Sequence, residues 1–322
     1  MDGQKWRRLL CQHARMDLRQ LQSLLAVVDH GGFTAAARAT HTVQSNVSAH
    51  VARLERELDA VLIDRSSGAL TSEGEAVVAR ARRIENELTS LEADVSSLRG
   101  SPRGTVRVGV IGTTGRWLTP LLVDRAASET PDLRLLIADG STTSLLLRLL
   151  EGELDLALVS LPSPDPDITH RPLFEESNEL IAPDDHPLAA LGRQPTLEDV
   201  AQHKLLLSAP GTAFRTQIDD IFSAVGLTLE AKAEVDGLRL LASLAFQGFG
   251  ATILPATAAP SWVNGPWRRL PMPGLGRRTV GLATRRRGMP SAAAEAAAAL
   301  IGDVITSNAK PTAGIHPITA PR

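Results

Sequence analysis

Short polar side chains that can hydrogen-bond to DNA bases are concentrated between residues 42 and 53 of this chain. They lie beside an apolar stripe of helical period, which predicts one helix with a buried face and a polar face. The stripe consists of Val43, Val47, Val51, Leu54 and Leu58. Gln, Asn and Ser can address base edges in a major groove, and an arginine can reach a phosphate. The predicted DNA-contacting residues, in this helix and near it, are Thr34, Thr42, Gln44, Ser45, Asn46, Ser48, His50, Arg53 and Arg65.

A second set of hydroxyl-bearing residues occupies three turns between predicted strands and helices further along the chain. Open α/β sheets bind ligands beyond the carboxyl ends of their strands, where helix amino termini point inward. Hydroxyls and free backbone N–H groups suit a small molecule that carries a carboxylate or phosphate. The predicted effector-contacting residues are Thr113, Thr114, Ser141, Thr142, Ser208, Gly211 and Thr212. The alternative is that each Ser or Thr only caps a helix. Arg116 and Arg215 either add positive charge there or point to solvent.

Sequence motifs of the common catalytic sites are absent. The chain has no GxSxG, no GxxxxGK[S/T] and no HExxH, and its eight histidines are scattered without ligand spacing. The single cysteine, Cys11, excludes intrachain disulfides, CxxC pairs and cysteine-rich zinc sites. No run of 18 apolar residues exists that could span a membrane. We therefore predict a cytoplasmic protein that is not an enzyme and has neither a cofactor nor a metal site.

The charge balance limits how nucleic acid could be bound. The formal net charge is −2, which excludes a simple polycation that coats nucleic acid. Residues 16–65 hold five arginines against six acidic residues. DNA binding must then come from individually placed residues and from doubling of the site in a dimer.

The elements around the polar helix have the pattern of a winged helix-turn-helix. Leucines from Leu18 to Leu25, with Val28, predict an amphipathic helix that ends at Gly31-Gly32. Thr34 is predicted to cap a short second helix, and a turn at residues 40–42 leads into the third. Residues 62–71 are predicted to form a β-hairpin, the wing.

A long helix with a regular apolar seam follows the wing. The seam residues are spaced alternately four and three apart over three heptads, the pattern of a coiled coil. They are Val77, Ala81, Ile84, Leu88, Leu91, Val95 and Leu98. Such a helix could instead pack on its own domain, but the regular seam favours dimerisation. Gly100, Pro102 and Gly104 then predict a hinge.

From Thr105 the chain alternates between strand and helix patterns, which predicts a parallel sheet covered by helices. Residues 165–191 are predicted to cross into a second lobe, and Val280–Thr284 to return to the first. An Ala-rich helix at Ala292–Ile305 completes the fold, and Asn308–Arg322 is predicted to be a disordered tail.

The amino-terminal part resembles the DNA-binding domain of LysR-type transcriptional regulators. The matching residues are Met16–Leu21, Phe33-Thr34, Ala36-Ala37, Gln44, Ser48, Leu54-Glu55, Leu58, Leu62, Arg65, Leu70-Thr71 and Gly74. The family usually has Ser at Val43, Pro at Ser45, Leu at Thr40, Gly at Asp59 or Ala60, and Phe at Ile63. The loss of Ser at position 43 suggests that Thr42 caps the recognition helix instead.

The carboxy-terminal part resembles the LysR effector domain, which is similar to periplasmic solute-binding proteins. The matching residues are Leu118–Pro120, Pro131–Leu133, Gly152–Ala157, Arg171–Leu173 and Gly248–Pro255. The resemblance implies a transcriptional regulator whose activity is set by a small molecule, predicted here to be anionic, bound between two lobes. It implies double-stranded promoter or operator DNA as a partner, and a homodimer or homotetramer. A small-molecule-binding protein whose winged helix contacts other proteins is the alternative.

The predicted fold is thus a winged helix-turn-helix, a coiled-coil linker helix and a two-lobed α/β effector domain. The predicted bounds are an N-terminal extension over 1–15, a DNA-binding domain over 16–73, a linker helix over 74–99, an effector domain over 104–306 and a tail over 307–322. Lobe I comprises about 104–175 and 265–306, and lobe II about 176–264. The extension is either a disordered arm or precedes a true start at Met16.

Overall fold

The structure is a computed structural model that describes residues 16–97 and 102–318. The chain divides into two compact units. The first is described from residue 16 to Glu92 and includes Glu151–Glu153, and the second comprises the remaining described residues. The predictions for Met1–Arg15, Leu98 and Gly100 lie outside the described residues.

The described residues of the first unit form four helices, and the long fourth helix extends to Ser97. The helices are α1 (Leu18–Asp29), α2 (Phe33–Ala39), α3 (Gln44–Leu58) and α4 (Ser72–Ser97). Val47, Val51 and Leu54 are buried in the shared core, so the middle of the predicted stripe faces inward. Val43 and Leu58, at the two ends of that stripe, are exposed, which the periodicity did not predict. Helices α1 to α3 form the predicted helix-turn-helix.

The caps of these helices differ from two predictions. Helix α2 begins at Phe33 with Gly32 as its cap, so Thr34 lies inside the first turn and does not cap it. Val43 occupies the cap position of α3 and has no capping side-chain bond, so Thr42 is not the cap either. The hydroxyl of Thr42 instead accepts a hydrogen bond from the Asn46 amide at 3.1 Å.

The predicted wing is present as one antiparallel bridge between Ile63 and Leu70. Its turn is held by the Asp64 carboxylate, which accepts hydrogen bonds from the Ser66 hydroxyl at 2.6 Å and the Ser66 backbone N–H at 2.7 Å. These hydrogen bonds lower the pKa of Asp64. The local bonds give the short wing a defined shape where two paired residues alone would not.

The described residues of the second unit form ten strands and six α-helices, with four short 3-10 helices between them. The strands are β1 (Gly104–Ile111), β2 (Leu133–Gly140), β3 (Leu156–Leu161), β4 (Ile168–Pro183), β5 (Lys204–Ser208), β6 (Glu230–Val235), β7 (Thr252–Pro255), β8 (Trp267–Pro271), β9 (Arg277–Arg285) and β10 (Ile315–Pro317). The helices are α5 (Gly112–Glu129), α6 (Thr142–Glu151), α7 (Leu197–Ala201), α8 (Ala213–Ser223), α9 (Leu238–Phe246) and α10 (Ala292–Asn308).

The strands run in the order β2-β1-β3-β9-β4-β7-β5-β6, and β8 and β10 also pair with β4. Strands β1, β2 and β3 are parallel, and β5 is parallel to β6 and β7. The 16-residue β4 pairs first with β9 and then with β7, so it passes from one lobe into the other. Strand β9 returns by pairing with β3, with Val159 opposite Gly281. Both predicted crossings are therefore confirmed.

The prediction of a disordered tail over Asn308–Arg322 is wrong for residues 308–318, the part that the structure describes. Helix α10 continues to Asn308, a short 3-10 helix follows, and β10 pairs with the middle of β4, with Ile315 opposite Glu176. Ile315 is buried in the core of the first lobe. The proline-rich sequence suggested disorder because a three-residue edge strand is too short to show a periodic pattern. Ile315 is the one apolar residue of this strand.

Candidate nucleic-acid interface and ligand cleft

The amino-terminal turn of α3 carries a cluster of polar side chains. Gln44, Ser45 and Asn46 are exposed, and Ser48, one turn beyond Gln44, is half-buried. Because Val43 supplies no side-chain cap, the first backbone N–H groups of α3 have no side-chain acceptor there. Such groups attract anions, and in a major groove they would face a phosphate. This end of α3 therefore combines side-chain donors and acceptors with backbone N–H groups that no side chain caps.

His50 is placed differently from the other predicted contacts. Its Nδ1 lies 2.9 Å from the Ser23 hydroxyl on α1. That hydroxyl donates its own hydrogen to the Arg19 carbonyl at 2.7 Å, so His50 Nδ1–H must be the donor to Ser23. The ring is half-buried between the two helices and joins α1 to α3. This contact gives His50 a structural role between the two helices, and its predicted contact with DNA stays a prediction.

The two arginines predicted to contact DNA have different surroundings. Arg53 is exposed on α3, and no carboxylate among the described residues forms an ion pair with it. Arg65, in the wing, lies 3.3 Å from the Glu55 carboxylate, with its side chain 62% exposed. Among the described residues, Arg53 therefore has no carboxylate partner, whereas Arg65 is paired with Glu55.

Glu55 is a positioning residue that sequence reasoning did not single out for this role. One carboxylate oxygen accepts the Leu62 backbone N–H at 2.9 Å and the Ile63 N–H at 3.4 Å, and the other faces Arg65. It thereby fixes the wing against the recognition helix. The available signal was its place as the first acidic residue of α3, after eleven residues without one.

The predicted seam of α4 divides into two parts. Val77 and Ala81 pack against the core of the first unit, with Ala81 1% exposed. The seam residues beyond them stay open to solvent: Ile84, Leu88, Leu91 and Val95 are 38%, 37%, 62% and 50% exposed. Four large apolar side chains in one stripe therefore remain partly exposed among the described residues of this chain.

The turns of the second unit hold the predicted effector hydroxyls, and several of these are already used. The Ser141 hydroxyl accepts the Ser144 N–H, and the Thr212 hydroxyl accepts the Arg215 N–H and donates to Ala209. These two residues act as helix caps, the alternative considered for them. The Thr142 hydroxyl is also used within the protein, since it accepts a hydrogen bond from the Ser160 N–H on β3 at 3.2 Å.

Thr113 and Thr114 are the most buried of the set. Thr113, at 2% exposure, accepts a hydrogen bond from Arg278 at 2.5 Å. Thr114 is fully buried, and no hydrogen-bond partner of its hydroxyl is found among the described residues. Ser208 is 6% exposed, and Gly211 adopts a φ of +81° in the turn before α8, which favours glycine.

A buried ion pair that the sequence did not reveal lies where the strands cross between the lobes. Arg278 on β9 donates to Glu176 on β4 at 2.7 Å, and both side chains are almost completely buried. The second oxygen of Glu176 accepts the Thr257 N–H at 2.9 Å. The Arg278 guanidinium also lies 5.9 Å from the ring centre of Phe214 on α8. The pair thus connects the Thr113 turn of lobe I with α8 of lobe II.

The described residues contain no group of three or more His, Cys, Asp or Glu that could hold a metal ion. Nor does the described part of the chain include a helix that is both long enough and apolar enough to cross a membrane.

Two family models match the chain. The model described as a bacterial regulatory helix-turn-helix protein of the lysR family matches residues 18–75, and the LysR substrate binding domain matches residues 99–305.

Relatives with similar sequences cover most of the chain. A probable hydrogen peroxide-inducible genes activator of Mycobacterium leprae is 32% identical over 89% of this chain and 94% of that protein. The nitrogen assimilation regulatory protein nac of Klebsiella aerogenes is 30% identical over 81% of this chain and 86% of that protein.

Solved structures are also similar. A full-length OxyR variant from Pseudomonas aeruginosa has a TM-score of 0.68 and 27% identity, covering 91% of this chain and 95% of that one. The structure of full-length CbnR complexed with its target DNA has a TM-score of 0.69 and 21% identity, covering 91% of this chain and 100% of that one, and shows a similar fold.

Proposed function

The chain belongs to the LysR family of transcriptional regulators, and we propose that it reads operator DNA as a dimer under control of a small anionic effector. The proposal rests most of all on α3, whose exposed amino-terminal turn combines Gln44, Ser45 and Asn46 with uncapped backbone N–H groups. The proposed protein binds DNA and a small molecule, and it catalyses no reaction.

Base readout is assigned to the amino-terminal half of α3. Gln44 can form two hydrogen bonds with an adenine edge, and Ser48 lies one turn further along the helix. Asn46 is tied to Thr42, which fixes its amide nitrogen and leaves its oxygen free to accept. Thr34, Ser45, Arg53 and Arg65 complete the proposed interface as backbone or base contacts.

Dimerisation is assigned to the exposed part of α4. Ile84, Leu88, Leu91 and Val95 would pair with the same stripe of a second copy, whereas Val77 and Ala81 belong to the core of the first unit. A dimer places two recognition helices on two half-sites, which compensates for the weak bulk charge of one copy. Further pairing of dimers would give a tetramer.

The effector is assigned to the region around Thr113, Thr142 and the turn before α8. Hydroxyls and helix amino termini there favour an anion. Arg278 is already neutralised by Glu176, so the site would recognise the effector by directed hydrogen bonds rather than by excess charge. Binding would favour one arrangement of the lobes and thereby change how the paired DNA-binding domains fit their half-sites.

Several relatives are named hydrogen peroxide-inducible genes activators. Peroxide oxidises thiolates, and protein redox sensors depend on such a group. The one cysteine of this chain is Cys11, so residues 102–318 contain no thiol. We infer that the second unit responds by reversible binding of a small molecule and not by oxidation of a cysteine within it.

A salt titration of DNA binding tests the proposal. The full chain would be titrated onto a fluorescent DNA duplex at several salt concentrations, with anisotropy as the readout. Direct phosphate contacts make the logarithm of the binding constant fall linearly with the logarithm of salt, by about 0.9 per contact. A steep slope for the native chain, reduced in Arg53→Ala, supports the interface. No binding at low salt would point instead to a winged helix that contacts proteins.

A further inference from the structure

The last described residues of the chain lie on the strand that links the two lobes. Residues 310–318, which we call the C-terminal clasp, consist of a short 3-10 helix and strand β10. They follow the part of the chain that the LysR substrate binding domain model matches, since that model ends at residue 305. The clasp therefore lies outside the matched domain.

The clasp occupies one edge of β4 at the point where that strand leaves lobe I. On its other edge β4 pairs with β9 as far as Ser177, and from the next residue onwards it pairs with β7. Strand β10 pairs antiparallel with residues 174–176, and the Gly314 carbonyl accepts the Ser177 N–H at 2.8 Å. The Ile318 N–H donates to the Leu173 carbonyl, also at 2.8 Å. This part of β4 is therefore hydrogen-bonded along both edges, immediately before the crossing.

Two residues of the clasp make contacts on opposite sides of this crossing. Ile315 is 4% exposed and packs in the core of lobe I. Gly314 has a φ of +73°, and a Cβ added to it would lie 2.8 Å from the Glu179 carboxylate and 2.9 Å from the Ala256 Cβ. Glu179 in turn lies 2.9 Å from Arg269 on β8, a strand that pairs with β4 beyond the crossing. The clasp thus connects the core of lobe I to the far half of β4.

The contact between the clasp and β4 is small compared with the cores of the two lobes. It consists of a three-residue strand, two flanking backbone hydrogen bonds and one buried apolar side chain. Each lobe has a core of its own, built from many buried residues. A short edge element of this kind opens locally at a much lower free energy than that of global unfolding. The clasp can therefore leave β4 while both lobes stay folded.

We propose that the C-terminal clasp acts as an intramolecular peptide ligand of β4 that holds the two lobes in the arrangement seen here. Hinge movement is absorbed by a few residues where strands cross between lobes, and in β4 the clasp binds the residues next to that point. Release of the clasp would leave one edge of β4 unpaired there, so the strand would bend more easily. Docking and release would then regulate the conformational change between the lobes. The device uses neither the proposed DNA contacts nor the proposed effector contacts, so its test is independent of theirs.

The test compares the distance between the lobes in the full chain and in a chain that ends at Ala309, the cap residue of α10. Spin labels would be attached through Ser128→Cys on α5 and Ser223→Cys on α8, two exposed positions, in a Cys11→Ser background. Dilution with unlabelled chain restricts the measurement to two labels on one chain. We expect a narrow distance distribution in the full chain. Truncation should widen the distribution or shift its mean by more than about 2 Å.

The full chain offers a matched pair of variants within the clasp. Ile315→Asp should reproduce the effect of truncation, because a carboxylate cannot stay in the apolar core of lobe I without a partner. Ile318→Asp makes the same change at a side chain that is 38% exposed, keeps the backbone N–H, and should leave the distance unchanged. Gly314→Ala, which cannot fit beside Glu179, provides a further variant if the truncated chain fails to fold. Hydrogen exchange of the Ser177 amide reports in each protein whether the clasp is docked.

Two results would overturn the proposal. The first is a distance distribution that stays the same although the Ser177 amide exchanges faster, since the clasp would then only cover an edge of β4. The second is an equal change in Ile318→Asp and Ile315→Asp, which would show that the added charge and not the loss of the clasp moves the lobes. A changed distance in Ile315→Asp and in the truncated chain, with Ile318→Asp unchanged, supports the clasp.

Discussion

At the scale of single residues, Gln44 and Arg53 should contribute to DNA binding in different ways. Gln44→Ala is expected to reduce discrimination at one base position by about 1–3 kcal/mol, since a paired amide reads the base edge. Arg53→Ala should weaken binding to all sequences alike and reduce the salt slope by about one. Competition between operator and random DNA measures both effects.

Helix content must be equal in the two variants, because a fraying α3 would imitate either effect. His50→Ala is the informative comparison, since it removes the contact with Ser23 and should lower stability more than specificity. An unchanged operator-to-random ratio in Gln44→Ala would refute direct readout by this residue.

Gly74 is required by close packing at the start of α4. A Cβ added there would lie 2.1 Å from the Leu62 carbonyl oxygen, a backbone atom that cannot rotate away. Gly74→Ala should therefore cost about 1–3 kcal/mol of unfolding free energy in the first unit. Gly302→Ala is the control. Gly302 lies in helix α10, and an added Cβ would have nothing within 4 Å, so this substitution should raise the unfolding free energy of the protein by about 0.5–1 kcal/mol. Chemical denaturation measures both, and equal effects would contradict the packing argument.

At the scale of elements, α4 should hold two copies together. Leu88→Asp with Leu91→Asp would place like charges at the proposed seam, each costing several kcal/mol, roughly, when buried without a partner. We expect the double variant to sediment as a monomer and to bind DNA much more weakly. Thr89→Asp adds a charge beside the seam and should leave the dimer intact. An intact dimer in the double variant would refute the seam.

The sequence predicted these elements where periodicity or turn residues were strong. The stripe of α3, the seam of α4 and the crossings of β4 and β9 all repeat an apolar pattern over several residues. Helix caps depend on one side chain each, which is why Thr34 and Thr42 were assigned wrongly. Strand β10 is three residues long, too short for any period.

The buried Arg278–Glu176 pair was missed for a different reason. Its partners are 102 residues apart, and neither is part of a motif. Charged residues are usually exposed, so no local pattern marks them as buried. At the effector site, sequence reasoning located the turns but did not show which hydroxyls serve as caps.

At the scale of the whole molecule, stability should depend on the protonation of Glu179, beside the point where β4 leaves one lobe for the other. Burial raises the pKa of Glu179 to about 7, an effect that Arg269 opposes and Glu176 adds to. Because this value lies above the ordinary 4.5, the stability from this group is full below about pH 4.5 and is lost as the pH rises through about 7.

Glu179→Gln should remove this dependence, since an amide does not titrate. Between about pH 5.5 and 8.5 the native chain should lose about 2 kcal/mol more unfolding free energy than the variant. Three histidines whose pKa is lowered by burial act in the opposite direction, but they are present in both proteins and cancel. They are His170, His186 and His316. Parallel pH profiles for the two proteins would contradict the account.

We propose that a dimer of this chain reads two DNA half-sites through α3. Selection of bound duplexes from random DNA by the full chain tests it most directly. We expect an enriched sequence with two-fold symmetry, whose half-sites are separated by about 10 base pairs or a multiple of that. Gln44→Ala should change the preferred base at the same position in both half-sites. A bound pool with no enriched symmetric sequence would contradict the claim.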